Sequence, residues 1–576
     1  MPKTRVWAAC ALIWIAICAS WVRLPDLRPE IPELDGVHPV RAAQALRDAY
    51  VPGRGLVDKY PPLGSFLMGL VAEIVDPGLL AALGAEPDAL VDDPGLRRAT
   101  LWPLRDRIAR RLAAQRALSL AAMGAAVALV GLVAARVVVR HGGGRGAATR
   151  AGVLAAALFG CAYPTLVYGA TTNLDALALL ASLLALERLL TGRALVAGLA
   201  LGAAVALKDP AYALAPALLA GALSREAGEQ GAGEHGAPEH GAPEHGAAGH
   251  DVHDHLGGVG GLVAPPSDPG PRRRAARLVL GAACAYLLLG GALLSPASWL
   301  AHVRYLLGGG VESVTARIDH GDPIEWLQLA DYTRRLLAGA IVPAWGGTLV
   351  VLAGLVGLVR LRARERRLLL GAAIGPIVFF VLPVGFAYPR FLLLTSAMLA
   401  VGAGVLVAWG ERVARARGRA GLAAGVLALG ALAVLGTLGP WPSLRSEDAR
   451  ALAGTRLAAL PAGTRVGVLA GARGHGPVAD PRRLPLELHG LEHVDVVMAA
   501  WRARPPEQRP DVVLVLSFPY ESPDGRRGAP PAPPAVGQDV AGGLYRVVRV
   551  DGGAGTSAPE RTLAWRPTIS WLERAR

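Results

Sequence analysis

A carboxylate in the segment PELDGVHP (32–39) is the residue best placed to do chemistry in this sequence. It is Asp35, which follows soon after the first apolar stretch of the chain. A carboxylate within hydrogen-bond reach of a hydroxyl or amine can take its proton and activate it as a nucleophile. On position alone Asp35 is an ordinary solvated loop acid, as is Glu33 beside it. Only the pattern around Asp35 favours a catalytic role.

A cation, an aromatic residue and two prolines follow in the same loop as KYPPLG (59–64), which contains Lys59 and Tyr60. Further polar residues lie at the ends of apolar segments: Asp175, Lys208, and Arg390 in the run Tyr388-Pro389-Arg390. A charge at such a boundary is costly unless it faces water or a cavity. These residues are therefore candidates for contacts to a polar ligand.

The elements that must position these residues are membrane-spanning helices. The 576 residues are 53% hydrophobic and only 18% charged, which is typical of a polytopic membrane protein. A span needs about 20 apolar residues. The candidate spans are 6–22, 115–139, 151–169, 175–191, 194–207, 211–223, 277–295, 336–359, 368–387, 391–409 and 420–438.

Arginine-rich loops set the predicted orientation, because cytoplasmic loops carry an excess of Lys and Arg. Loops 140–150, 272–277, 360–367 and 412–419 all meet this criterion. They agree only if 194–223 crosses twice, as a hairpin broken at Lys208-Asp209-Pro210. The result is eleven spans in a bacterial inner membrane. The N-terminus is cytoplasmic, because 6–22 lacks a well-placed cleavage site and is an uncleaved span, and the C-terminus lies outside.

The net charge of +14 is explained by these loops, and we expect no nucleic-acid binding. Residues 1–439 form the predicted transmembrane domain, with an outer loop at 23–112 and a cytoplasmic His-rich, low-complexity loop at 224–274. Within the outer loop, Leu63–Val75 is too short to span and is expected to lie in the membrane interface. The His-rich loop is either a loose metal-binding tract or, as we favour, a linker without preset geometry.

The tail 440–576 is predicted to be a small extracytoplasmic α/β domain. A helix is expected at Ser446–Leu460. Four short strands are expected, at 466–469, 494–498, 511–516 and 544–550.

The two loop motifs resemble those of the integral-membrane GT-C glycosyltransferases, the group that includes protein O-mannosyltransferases and the lipid A aminoarabinose transferase. Members carry an acidic motif shortly after span one and an aromatic or basic residue before a Pro-Pro-Leu turn. Residues 1–220 match well and 296–410 loosely, while the tail is outside the resemblance. One departure is Gly36, which stands where the family usually has a second acid.

The resemblance implies transfer of a sugar from a polyprenyl-phosphate donor to a lipid, glycan or protein acceptor at the outer face of the membrane. This is glycosyltransferase chemistry of the EC 2.4 class, acting on hexosyl or pentosyl groups. Asp35 would be the base, and Lys208 and Arg390 would hold the phosphate. Substrate contacts are also assigned to His38, Lys59, Tyr60, Asp175 and Tyr388.

Each assignment has a structural alternative. Asp175 or Asn173 is a possible helix N-cap, Lys208 an interfacial lysine paired with Asp209, and Arg390 a lone interfacial residue. The polar and aromatic residues of loop 296–335, among them His302, are interpreted as interfacial anchors rather than sugar contacts.

No cofactor and no metal are expected, because no cysteine spacing resembles a zinc site and none of the candidate site residues requires a metal. The four cysteines all lie in apolar segments. Two rival functions remain: a transporter, which needs charges in mid-span and inverted repeats, and a non-catalytic membrane scaffold or sensor, which the departure at Gly36 leaves open.

Overall fold

The computed structural model describes most of the chain, with gaps between the described segments. These segments are residues 3–21, 38–51, 61–84, 100–224, 270–304, 326–341, 345–385, 387–419, 449–470, 483–490, 493–517, 535–540, 542–551 and 568–575, with the single residues 421, 424 and 480. Asp35, Gly36, Lys59, Tyr60 and nearly all of the His-rich loop lie outside them.

The fold is mostly helical, with one small sheet near the C-terminus. Among the described residues, the α-helices of five or more residues are α1 (Lys3–Trp21), α2 (Pro39–Asp48), α3 (Pro62–Val75), α4 (Leu79–Leu83), α5 (Arg105–Arg140), α6 (Arg145–Gly160), α7 (Tyr163–Gly169), α8 (Asp175–Leu190), α9 (Ala194–Leu207), α10 (Ala215–Leu223), α11 (Pro271–Leu289), α12 (Pro296–Arg304), α13 (Trp326–Ile341), α14 (Trp345–Val359), α15 (Ala363–Pro376), α16 (Leu393–Ala416), α17 (Ala449–Ala459) and α18 (Val494–Ala503).

Within the part of the chain that the structure describes, three helices are long and apolar enough to cross a membrane. They are Trp102–Arg140, Ala363–Val384 and Pro389–Ala416. The pair α6 and α7, bent by 69°, makes a fourth if it crosses as one span. The chain is thus an integral membrane protein, and eleven spans stay a prediction. Within the expected span 336–359 the structure describes the end of α13 and all of α14, and residues 342–344 lie outside the described residues.

Helix α5 is the centre of the bundle. It contacts α1, α3, α6, α8 and α16, and most of its second half is buried. Small residues let these neighbours approach: a Cβ at Gly131 would meet the sulfur of Cys10 and the carbonyl of Gly152. Close approach of this kind is how helices pack inside a membrane, where burial of apolar surface gives little driving force.

Helices α9 and α11 show the tightest use of this principle. Gly198 and Gly202, four residues apart on α9, have no room for a side chain, because Cβ atoms there would overlap the carbonyls of Leu278 and Ala282. Gly281 on α11 meets the Leu195 carbonyl in the same way. This contact fixes α9, and with it Lys208 at its end.

Replacing Gly198 by Ile is expected to destabilise the fold by about 1–3 kcal/mol, because the new side chain overpacks the α9–α11 contact. Thermal unfolding in detergent measures the effect. Leu199→Ile is the matched control. Leu199 follows Gly198 in the chain and is 42% exposed, so the unfolding midpoint of this variant should hardly move. Equal shifts in both variants would contradict the packing account.

Helix α3 confirms that Leu63–Val75 is helical, and it has two faces. Its buried side includes Met68 and Ala72, whereas Leu70 and Ile74 are exposed. At its end Asp76 accepts hydrogen bonds from Nε of Arg107 (2.7 Å) and Nε of Arg110 (2.8 Å) on α5. This contact pins the described part of the first loop to the central helix.

Burial tends to raise the pKa of Asp76, but the hydrogen bonds and charges of Arg107 and Arg110 outweigh it, so its pKa lies below the ordinary value. Its contribution to stability is therefore fully present above about pH 4 and is lost as the pH falls through the folded-state pKa.

Asp76→Asn should lower the unfolding midpoint in detergent at pH 7, and the difference from wild type should shrink as the pH drops below about 4. The control is Asp106→Asn, since Asp106 is 81% exposed beside Arg105 and should change little. A pH-independent difference for Asp76→Asn would be inconsistent with the ion pair.

The tail forms a six-stranded mixed sheet, with α17 on one face and α18 on the other. The strands are β1 (Val466–Ala470), β2 (Leu486–Gly490), β3 (Val512–Ser517), β4 (Asp539–Val540), β5 (Tyr545–Asp551) and β6 (Thr568–Arg574). Their order is β2-β1-β3-β6-β5-β4; β1 runs parallel to β2 and β3, and β6 antiparallel to β3 and β5. The expected α/β fold and three of the four expected strands are confirmed.

The fourth expected strand, 494–498, is wrong: this segment begins helix α18. Val497, Met498 and Trp501 are its buried residues, and their spacing is that of one helix face. Trp501 covers Gly467 of β1, where a Cβ would overlap its ring. A five-residue window of mostly apolar residues does not distinguish the two periods, whereas the full ten residues do.

Candidate functional site

Lys208 lies where α9 breaks. The helix ends at Leu207, Lys208 is extended (φ −160°, ψ 120°), and Asp209–Leu214 forms a 3₁₀ turn that leads into α10. Pro210 explains the break, because it has no N–H to donate and its ring would collide with the carbonyl of Ala206. The predicted break at this position is confirmed.

The ammonium group of Lys208 pairs with Asp175, with 2.6 Å between Nζ and Oδ2. Both side chains are buried, 4% and 8% exposed. Asp175 is the first residue of α8, and the N-cap position is Leu174, which makes no side-chain capping bond. Asp175 therefore lies at the first helical position rather than at the N-cap, and Lys208 forms an ion pair with Asp175.

Asp209 contacts His302 on α12, with 3.3 Å between Oδ1 and Nε2. His302 is 4% exposed, so it is part of the packed interior rather than an interfacial residue, contrary to the expectation for loop 296–335. Asp175 thus pairs with Lys208, while Asp209, the residue after Lys208 in the chain, contacts His302.

Arg390 lies in a second 3₁₀ turn, Pro389–Leu392, just before α16. Its guanidinium carbon is 4.8 Å from the ring centre of Tyr388 and 5.1 Å from that of Phe391. The residue is 7% exposed. Stacking on aromatic rings suits a guanidinium, which is planar and weakly hydrated. Arg390 thus packs between two aromatic side chains and is not a lone interfacial residue.

Aromatic contacts connect the two turns. The ring of Tyr212, in the first turn, is 6.4 Å from that of Phe380, which is 4.7 Å from Phe391 in the second turn. The Tyr212 hydroxyl also donates to the carbonyl of Phe379 (2.7 Å). Phe379 and Phe380 belong to a π-helical segment, Ile377–Val381, that follows Pro376. Lys208 and Arg390 therefore lie at the same end of the bundle.

The diproline turn reaches the same place. Helix α3 begins at Pro62, and a Cβ at Gly64 would overlap the side chain of Leu174, directly before Asp175. Pro62 also approaches Gly291, which follows α11. The second loop motif thus packs beside the buried ion pair, and Lys59 and Tyr60, outside the described residues, immediately precede it in the chain.

His38 is the N-cap of α2, where its Nδ1 accepts a hydrogen bond from the Val40 N–H (3.3 Å). It is solvent-exposed. Helix α2 packs closely on α3, since a Cβ at Gly69 would overlap the Ala42 carbonyl. Asp35 comes three residues before His38, outside the described residues, so its catalytic role stays a prediction.

The arrangement is suited to binding a phosphate. Two cations, Lys208 and Arg390, occur on neighbouring turns, and both kinds of group form strong hydrogen bonds to phosphate oxygens. Among the described residues no group of three or more His, Cys, Asp or Glu is placed to hold a metal ion.

The Asp175–Lys208 pair, the Asp209–His302 contact and the aromatic chain were all missed at the sequence level. One feature of the sequence could have predicted the ion pair. Asp175 and Lys208 carry opposite charges and lie at the ends of consecutive apolar helices, and a buried charge needs a partner. No local signal identifies His302 as the partner of Asp209.

Two solved structures of ArnT from Cupriavidus metallidurans resemble the chain. The apo structure has 14% identity and a TM-score of 0.43, and the structure bound to undecaprenyl phosphate has 13% and 0.41; each covers 99% of this chain and 97% of the other. ArnT is a GT-C lipid A aminoarabinose transferase. No family profile and no curated protein matches the chain.

Lys208→Met is expected to destabilise the protein by about 3–5 kcal/mol, because it leaves the buried Asp175 carboxylate without its cation. The double variant Lys208→Met/Asp175→Leu should recover most of that loss, since an apolar pair replaces an ion pair at little cost. Thermal unfolding in detergent of wild type, the two single variants and the double variant gives the coupling free energy between Lys208 and Asp175. A double variant as unstable as Lys208→Met would contradict the pairing.

Proposed function

We propose that this protein is a membrane glycosyltransferase that moves a sugar from a polyprenyl-phosphate donor to a lipid, glycan or protein acceptor at the extracytoplasmic face. The observation that carries the proposal is the meeting of three features at one end of the bundle. They are the buried Asp175–Lys208 pair, the Arg390 turn and the diproline turn at Pro62.

The donor phosphate is assigned to Lys208 and Arg390. An ammonium group has three N–H donors, so contact with Asp175 is compatible with a bond to a phosphate oxygen. Asp175 would then orient Lys208, and the rings of Tyr388 and Phe391 would orient Arg390. A guanidinium can donate two parallel hydrogen bonds to a phosphate. The apolar helix surfaces around these turns suit the lipid tail.

Asp35 is assigned the role of base. It takes the proton of the acceptor hydroxyl or amine as the acceptor oxygen or nitrogen bonds to the anomeric carbon. The bond from that carbon to the phosphate oxygen breaks, and its electrons stay on the polyprenyl phosphate. Cations at that oxygen stabilise the charge that develops there. The family resemblance implies inversion at the anomeric carbon.

The remaining substrate assignments follow from position. His38 caps α2, three residues after Asp35, and Lys59 and Tyr60 precede the diproline turn, so we assign all three to the acceptor or the sugar. Residues 1–439 are the proposed transferase domain in a bacterial inner membrane, with the N-terminus in the cytoplasm. The α/β tail, 440–576, is proposed to lie outside the membrane, where it can guide the acceptor.

The proposal is tested by profiling envelope glycans and lipids in a deletion strain complemented with wild type, Asp35→Asn or Glu33→Gln. Loss of a general base costs about a hundredfold or more in rate, so Asp35→Asn should fail to restore a modification that wild type restores. Glu33→Gln is the matched control, two residues away with the same charge change, and should restore it.

The outcomes separate the parts of the proposal. Identical profiles in the deletion strain and wild type would contradict a transferase and favour a scaffold or transporter. Restoration by Asp35→Asn would leave the transferase but refute Asp35 as its base. Membrane levels of each variant, read by immunoblot, establish that a failure is chemical rather than a failure to fold.

A further inference from the structure

A cavity of about 350 Å³ lies among three helix ends that the proposed reaction does not use. Its walls come from the turn between α5 and α6, the end of α14 and the last turns of α16. Three of the four arginine-rich loops that the positive-inside rule assigns to the cytoplasm, 140–150, 360–367 and 412–419, therefore come together in space.

The lining carries an excess of positive charge. Its arginines are Arg150, Arg360, Arg412 and Arg415, and all four are exposed. The carboxylate among them is Glu411, 2% exposed, which accepts from Nε of Arg150 (3.1 Å) and pairs with Nη2 of Arg415 (2.6 Å). Because four arginines line the cavity beside one carboxylate, the lining has a net positive charge and is suited to binding an anion.

The other lining residues are apolar or aromatic. The guanidinium carbon of Arg360 lies 4.2 Å from the ring centre of Trp409, and Leu361, Val405 and Leu406 complete an apolar wall. A lining that combines arginines with apolar and aromatic residues fits a molecule with a charged head and a hydrocarbon body. A soluble anion would use only the arginines.

The cavity is far from the proposed reaction site. Arg390 lies just before α16, and Glu411 lies in its last turns. A helix of 24 residues is about 36 Å long, so the two ends approach opposite sides of a hydrocarbon core about 30 Å thick. The cavity is thus at the level of the opposite leaflet from the polyprenyl-phosphate site.

We propose that this cavity binds the phosphate headgroup of an anionic glycerophospholipid of the cytoplasmic leaflet. Arg360 and Arg412 contact the phosphate, Glu411 holds Arg150 and Arg415 in place, and the acyl chains follow the apolar wall between α14 and α16. Basic pockets between membrane helices on this side are suited to such headgroups.

The test is native mass spectrometry of the purified full chain in detergent, titrated with phosphatidylglycerol or phosphatidylcholine. Wild type should bind phosphatidylglycerol at least about tenfold more tightly, and Arg360→Gln/Arg412→Gln should lose that preference, because each surface arginine contributes to anionic-lipid binding. The control, Arg145→Gln/Arg366→Gln, removes the same charge from exposed arginines in the adjoining turns and should stay within about twofold of wild type.

Equal weakening in the two double variants would overturn the proposal, because general attraction to the basic face would explain the binding. Displacement of the lipid by equimolar glycerol 3-phosphate would overturn the lipid assignment in favour of a soluble phosphate. The variant Arg360→Lys/Arg412→Lys keeps the charges and should retain most of the preference. Its loss, with an unchanged unfolding midpoint, would also refute the proposal.

Discussion

The ion pair between Asp175 and Lys208 is the constraint on which the arrangement of the site depends. Two opposite charges are tolerated in buried surroundings only when they stay together. The pair fixes the start of α8 against the end of α9, and Leu174 then meets Gly64, which brings the diproline turn to the same point. The fold and the proposed phosphate site therefore share one interaction.

Around this pair the bundle relies on small residues and on arginine–carboxylate contacts at the helix ends. Glycines on α9 and α11 remove side chains so that the backbones touch. At the other end of the bundle, Glu187 and Glu411 take up Arg136 and Arg150. The basic loops thus have two roles: part of their charge joins helices, and part is proposed to bind a lipid headgroup at the cavity beside Trp409.

Patterns with a local cause were predicted well. Proline at 210 broke the hairpin where its chemistry requires, and strands β1, β3 and β5 followed from runs of β-branched residues. The wrong strand prediction at 494–498 also has a local cause, because a five-residue window is too short to separate periods of 2 and 3.6.

The sequence by itself determined which segments are apolar, where they break, and that Lys208, Arg390 and Tyr388 lie at those breaks. Hydropathy, proline and charge act within a few residues, so they can be inferred along the chain. Only the tertiary structure decided the contacts: Lys208 with Asp175, Asp209 with His302, and Arg390 with both Tyr388 and Phe391. Such pairs need contact within a few ångströms, and which helix ends meet is set by packing across the whole bundle.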